Sequence, residues 1–189
     1  MEQKKTILIT GCSSGIGLAT AIECGKSGHH VIAILRSLTN RDKLDNQIKN
    51  NNLEKNIDIF ELDISQLESI KNFVNKITEK YQKIDILFNN AGFMTLGSLE
   101  DVTADEIYSQ INTDLIGPII LTKFLIPHMK NTSSPGLVIN MSSTAGRLGF
   151  GYSTSYCSAK FGIEGFSESL RMETMRKGIN VALIEAGIV

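Results

Sequence analysis

The most constraining feature lies near the start of the chain. A short apolar run over 5–10 ends in Thr10-Gly11-Cys12-Ser13-Ser14-Gly15-Ile16-Gly17, after which Ile16, Ala19 and Ile22 recur at helical spacing. A strand that feeds a glycine-rich turn and then a helix leaves the first backbone N–H groups of that helix without partners. The helix dipole adds positive potential at the same place, so the turn is an anion site. Gly11 permits the tight turn, Gly15 lets a pyrophosphate approach the backbone, and Gly17 lets helix and strand pack closely. The turn residues Gly11, Ser13, Ser14, Gly15, Ile16 and Gly17 are therefore candidate dinucleotide contacts.

The rest of the chain repeats the same alternation. Strand-length runs fall at 5–10, 29–36, 57–63, 83–89, 136–142 and 180–186, with helical patterns between them. Runs such as Val31-Ile32-Ala33-Ile34-Leu35 are continuous rather than alternating, as parallel strands covered on both faces require. The pattern predicts an α/β fold with a doubly wound parallel sheet of six strands, in one domain over 1–189. Leu67, Ile70, Phe73, Val74, Ile77 and Tyr81 mark a helix over 65–81, opened by a capping box at Ser65 and Glu68. A second box, Thr103 with Glu106, opens a long helix near 104–129, which Gly117-Pro118 should kink rather than end. The stretch 40–56 reads as a polar, solvated outer helix with loose ends.

Composition narrows the function classes. With 19 basic and 20 acidic residues the net charge is −1, which argues against nucleic-acid binding through a broad basic face. Hydrophobic residues at 42 % and charged residues at 21 % describe an ordinary globular chain. There is no apolar run of membrane-span length and no N-terminal signal pattern. Cys12, Cys24 and Cys157 form no CxxC pair, and His29, His30 and His128 lack ligand spacing. A reducing cytoplasmic setting and no metal site are expected. Cys157, beside Tyr156, reads as a buried structural thiol.

The T-G-x-x-x-G-x-G spacing resembles that of the short-chain dehydrogenase/reductase family, which has a Rossmann-type fold. Further elements follow in the family's order: Asn89-Asn90-Ala91-Gly92 after the fourth strand, Asn112 in the long helix, Ser142-Ser143 at the end of the fifth strand, and Tyr156-x-x-x-Lys160 beyond it. Tyr156 and Lys160 stand four apart, on one helix face. A phenol titrates near about 10, and a nearby ammonium favours its phenolate, so such a pair can exchange a proton with a carbonyl or alcohol oxygen. The resemblance implies catalytic roles for Ser143, Tyr156, Lys160 and Asn112. Ser143 would hold the substrate oxygen, Lys160 would also bind the nicotinamide ribose, and Asn112 would anchor a water leading to Lys160. It also implies cofactor contacts from Asp63, Ile64, Asn90, Ala91 and Gly92, and a homodimer built on the long helix and the Tyr156 helix.

At the end of the second strand stands Arg36, with no acidic residue before Asp42. A guanidinium suits a ribose 2′-phosphate, which favours NADP(H) and leaves NAD(H) open. The loop phrases G-C-S-S-G-I-G-L and L-R-S-L most resemble the branch of the family acting on steroids, retinoids and similar apolar alcohols. The expected activity is NAD(P)(H)-dependent interconversion of a carbonyl and an alcohol on a small, apolar substrate. The end departs from the family pattern: Ala186 stands where a proline is usual, and the seventh strand and substrate-covering region are absent from the sequence. A catalytically weak or silent dinucleotide-binding remnant is the alternative expectation.

Overall fold

The computed structural model describes residues 4–129 and 135–187. Six parallel strands form one sheet in the order β3-β2-β1-β4-β5-β6: β1 Thr6–Thr10, β2 His30–Leu35, β3 Ile57–Glu61, β4 Ile86–Asn89, β5 Gly136–Ser143 and β6 Ile179–Ala186. Helices α1 Gly15–Lys26, α2 Asp42–Asn50, α3 Leu67–Lys80, α4 Ala104–Ile111, α5 Gly117–Met129 and α6 Thr154–Thr174 connect them. This is the expected doubly wound α/β sheet of Rossmann type, and each strand lies within about three residues of its expected bounds.

The continuous apolar runs are explained by two cores. Successive strand side chains point to opposite faces. Ile7, Ile9, Val31, Ala33 and Leu35 pack against Ala21 and Ile22 of α1 and against Leu44 and Ile48 of α2. Leu8, Ile32, Ile34, Leu87 and Val138 pack on the other face against Ile70, Phe73 and Ile77 of α3 and Leu121 and Leu125 of α5. Two buried residues four apart, Leu44 and Ile48, are all that α2 contributes, so it is the solvated outer helix expected. It is shorter than the 40–56 stretch, because the chain turns at Asn52 through a left-handed φ of 54°.

Two local expectations need correction. Helix α3 is capped at Gln66, without a side-chain cap, rather than by a Ser65 box. The Ser65 hydroxyl instead donates to Asp63 Oδ1 at 2.7 Å. The Thr103–Glu106 box does form at the start of α4. The irregularity in the long helix precedes Gly117-Pro118: residues Asn112–Ile116 form a π turn between α4 and α5. Gly117 answers a different need, since a Cβ there would lie 2.3 Å from the Ile64 carbonyl oxygen.

Strand order reverses between β1 and β4, so the connections after these two strands leave the sheet in opposite directions. That switch point opens a crevice beyond the carboxyl ends of the strands, the usual place for a ligand in this architecture.

Candidate active site

One cavity of about 840 Å³ occupies the crevice, lined by the glycine turn, the ends of β2 to β5 and the start of α6. Helix α1 points its N-terminus into it. Its N-cap, Ser14, makes no side-chain capping bond, and no acidic residue stands in the first turn. The orphan N–H groups therefore meet no negative side chain of the helix itself, which fits a bound pyrophosphate. Gly15, at φ 56°, has nothing within 4 Å of where a Cβ would be. Gly17 plays the packing part, because a Cβ there would lie 2.4 Å from the Gly11 carbonyl oxygen.

A clamp holds the turn. Thr10 Oγ1 accepts the backbone N–H groups of Asn90 at 3.0 Å and Ala91 at 2.9 Å. Asn90 Nδ2 donates to the Thr10 carbonyl at 2.8 Å. Below it, buried Asn89 donates to Thr122 and to Asn140, which donates in turn to Ser167. The Asn-Asn pair thus ties β4 to the glycine turn and to the sheet floor. Thr10 opens the T-G-x-x-x-G-x-G motif but is not among the sequence-derived site residues, because only the folded sheet brings its hydroxyl to Asn90 and Ala91.

Of the sequence-derived residues, Gly11, Ser13, Ser14, Gly15, Ile16, Arg36, Asp63, Ile64, Asn90, Ala91, Gly92, Ser143, Tyr156 and Lys160 all line the cavity. Arg36 is exposed and makes no side-chain hydrogen bond or ion pair among the described residues. It follows β2 whereas Ser143 ends β5, three strand positions away, so the two mark ends of the cavity roughly 14 Å apart. Ser143 Oγ accepts the Ala145 N–H at 3.2 Å, which leaves its proton free to be donated. Lys160 is 4 % exposed, donates to the Met141 carbonyl at 3.1 Å and lies 5.4 Å from the Tyr156 ring centre.

Gly17 does not line the cavity, and neither does Asn112. Asn112 starts the π turn, whereas Thr113 and Asp114 line the cavity. Two residues apart on a helix point in nearly opposite directions, so a side chain at 112 faces away from what 114 faces. Asp114 is the residue the sequence reading missed: its Oδ2 lies 3.2 Å from Lys160 Nζ. Burial pushes its carboxyl above the ordinary value, and the Lys160 ammonium opposes that shift. Cys12 is buried too; desolvation pushes its thiol up to about 12, so it is inert beside the turn.

Fold and cavity together define a Rossmann-type domain with a tyrosine–lysine pair at one end. Residues 5–189 match the family model for short chain dehydrogenase. The chain is 38 % identical over 184 residues to the uncharacterized oxidoreductase YusZ of Bacillus subtilis, covering 97 % of this chain and 65 % of that one. It is 33 % identical over 185 residues to 3-ketodihydrosphingosine reductase of Bacteroides thetaiotaomicron, covering 98 % and 64 %. The solved structure of ElxO with NADP bound superposes with a TM-score of 0.89 at 32 % identity, covering 98 % of this chain and 74 % of that one. The chain belongs to the short-chain dehydrogenase family, and it spans about two thirds of the length of these curated relatives. No helix among the described residues is long and apolar enough to cross a membrane.

Proposed function

We propose that this chain carries the cofactor and proton-transfer residues of an NADP(H)-dependent oxidoreductase that interconverts a carbonyl and an alcohol. The observation that carries the reading is a cavity joining an uncapped helix N-terminus, a guanidinium with no partner among the described residues and the Tyr156–Lys160 pair. The orphan N–H groups of α1 would hold the pyrophosphate, and Arg36 would meet a ribose 2′-phosphate at one end. Asp63 and Ile64 would flank the adenine, and Lys160 would reach the nicotinamide ribose. When bound, the nicotinamide supplies hydride chemistry. Tyr156 would give its phenolic proton to a carbonyl oxygen during reduction, or accept one from an alcohol during oxidation. Ser143 would donate its free O–H to the same oxygen and hold it in place. Asn112, outside the cavity lining, takes no part in this scheme.

Phe93 and Met94 line the cavity at 38 % and 51 % exposure, which favours an apolar substrate, as does the relative named 3-ketodihydrosphingosine reductase; ElxO, solved with NADP bound, supports the cofactor instead. The same exposed wall favours a second reading, in which residues 1–189 bind the dinucleotide and turn over slowly. Titration with NADPH and NADH, followed by nicotinamide absorbance with a panel of apolar ketones, tests both. Binding with ketone-dependent oxidation supports the first, binding alone the second, and no binding defeats both.

A further inference from the structure

Asp114 is a carboxyl, 1 % exposed, that the proton transfer just described does not use. The π turn aims it under the chain that follows β4. Its Oδ1 accepts the Phe93 N–H at 3.2 Å, and its Oδ2 would lie 2.7 Å from a Cβ on Gly92. The neighbouring Gln110 is itself fixed, donating to the Phe93 carbonyl at 2.7 Å and accepting from Thr95 N–H at 2.8 Å. Asp114 is therefore held rigidly against Lys160, at 3.2 Å, as an ion pair; Oδ2 has no well-directed hydrogen bond among the described residues. Lys160 is the charged group acting on Asp114, and the other charged side chains lining the cavity, Arg36 and Asp63, follow β2 and β3. Tyr156 faces the pair from α6.

A nicotinamide ring is cationic when oxidised and neutral when reduced. Reduction therefore changes the charge at the end of the cavity where Lys160 stands. An ammonium alone, 4 % exposed, would repel the cationic form and leave the neutral one unaffected. A carboxylate 3.2 Å from it brings the pair close to zero net charge. We propose that Asp114 sets the balance between oxidised and reduced dinucleotide in this cavity, by cancelling the charge of Lys160 beside the nicotinamide end. This rests on the reading of the cavity as a dinucleotide site.

The test is calorimetric titration of NADP⁺ and NADPH into the parent chain, Asp114→Asn, Lys160→Met and the double variant. Asparagine keeps the acceptor for the Phe93 N–H and removes only the charge. The ratio of dissociation constants, oxidised over reduced, should rise about tenfold in Asp114→Asn, as expected for a unit charge acting over roughly 10 Å at an effective dielectric of about 20. Lys160→Met should move the ratio the other way, and the double variant should return it to within about threefold of the parent. An unchanged ratio in Asp114→Asn with both forms still bound overturns the proposal. Should Asp114→Asn fail to fold, an unchanged ratio in Lys160→Met overturns it equally. A parent chain that binds neither form removes the dinucleotide reading itself, and the proposal with it.

Discussion

Asn90 donates through its side-chain amide to the Thr10 carbonyl at 2.8 Å, across 80 residues of sequence, and so joins the end of β4 to the glycine turn. The Thr10 hydroxyl accepts the backbone N–H groups of Asn90 and Ala91 in return. The turn's shape is therefore a tertiary property. Asn90→Ala should cost about 1–2 kcal/mol in stability, the usual result of leaving buried partners unpaired. It should also weaken NADPH binding, because the orphan N–H groups of α1 lose their fixed aim. Urea denaturation alongside fluorescence titration checks both; an unchanged affinity would mean that the turn holds itself.

Tyr156→Phe should lower turnover of any carbonyl substrate by at least about a hundredfold, the range for loss of a general acid. NADPH affinity should stay within about threefold, since the ring and its contact with Lys160 remain. A variant retaining most of the parent's kcat would remove Tyr156 from the chemistry.

Arg36→Asp should reverse the cofactor preference. Loss of a charge-assisted phosphate contact costs about 1.5–3 kcal/mol, so NADPH affinity should fall at least about tenfold while NADH affinity holds or improves. Equal loss for both dinucleotides would show that Arg36 supports the fold rather than the 2′-phosphate.

Asp58 offers a pH test outside the cavity. Its carboxylate pays a desolvation penalty, but Lys80 and Tyr81 donate to it and His30 lies 3.2 Å away, and together they hold its carboxyl below the ordinary value. The folded protein thus binds fewer protons at this group than the unfolded chain does. Its stabilising contribution is complete above the ordinary carboxylate range and is lost as pH falls through the lowered value. Denaturation midpoints of the parent and Asp58→Asn should differ at neutral pH and converge in acid. A constant difference across that range would assign the effect to packing.

Tyr108 on α4, Ile116 in the π turn, and Phe161 and Met172 on α6 are exposed apolar side chains on the elements expected to pair two copies. Light scattering should give a dimer. Phe161→Glu should shift it toward monomer, and a monomeric parent would refute the pairing.

Much of this was legible in the sequence because periodicity reports burial. Val31 to Leu35 is apolar at every position since the two cores lie on opposite faces of β2, and such a run has one parallel-sheet reading. Capping was legible at Thr103, where the box closes within one turn, and misleading at Ser65, whose hydroxyl found the nearer Asp63 carboxylate. The long helix hid its π turn, because α5 is apolar on most of its faces and a one-residue slip in the pattern does not show there. Asn112 rather than Asp114 stood out because the family resemblance implies an asparagine in this helix, and the face each residue presents depends on a local winding that the sequence does not show. The Thr10–Asn90 clamp and the Asp114–Lys160 pair join residues far apart in sequence, so only the folded sheet brings them together.

The cavity over the glycine turn is proposed to take a phosphorylated dinucleotide. Calorimetric titration of NADPH into residues 1–189, repeated with Gly17→Ala, tests this most directly. A Cβ at 17 would lie 2.4 Å from both the Gly11 carbonyl oxygen and Asn90 Nδ2, so it must deform the turn that aims the N–H groups of α1. The expected result is saturable binding at one site in the parent and a loss of at least about tenfold in a variant that still folds. Absence of NADPH binding to the parent, or equal binding to both proteins, would contradict the claim.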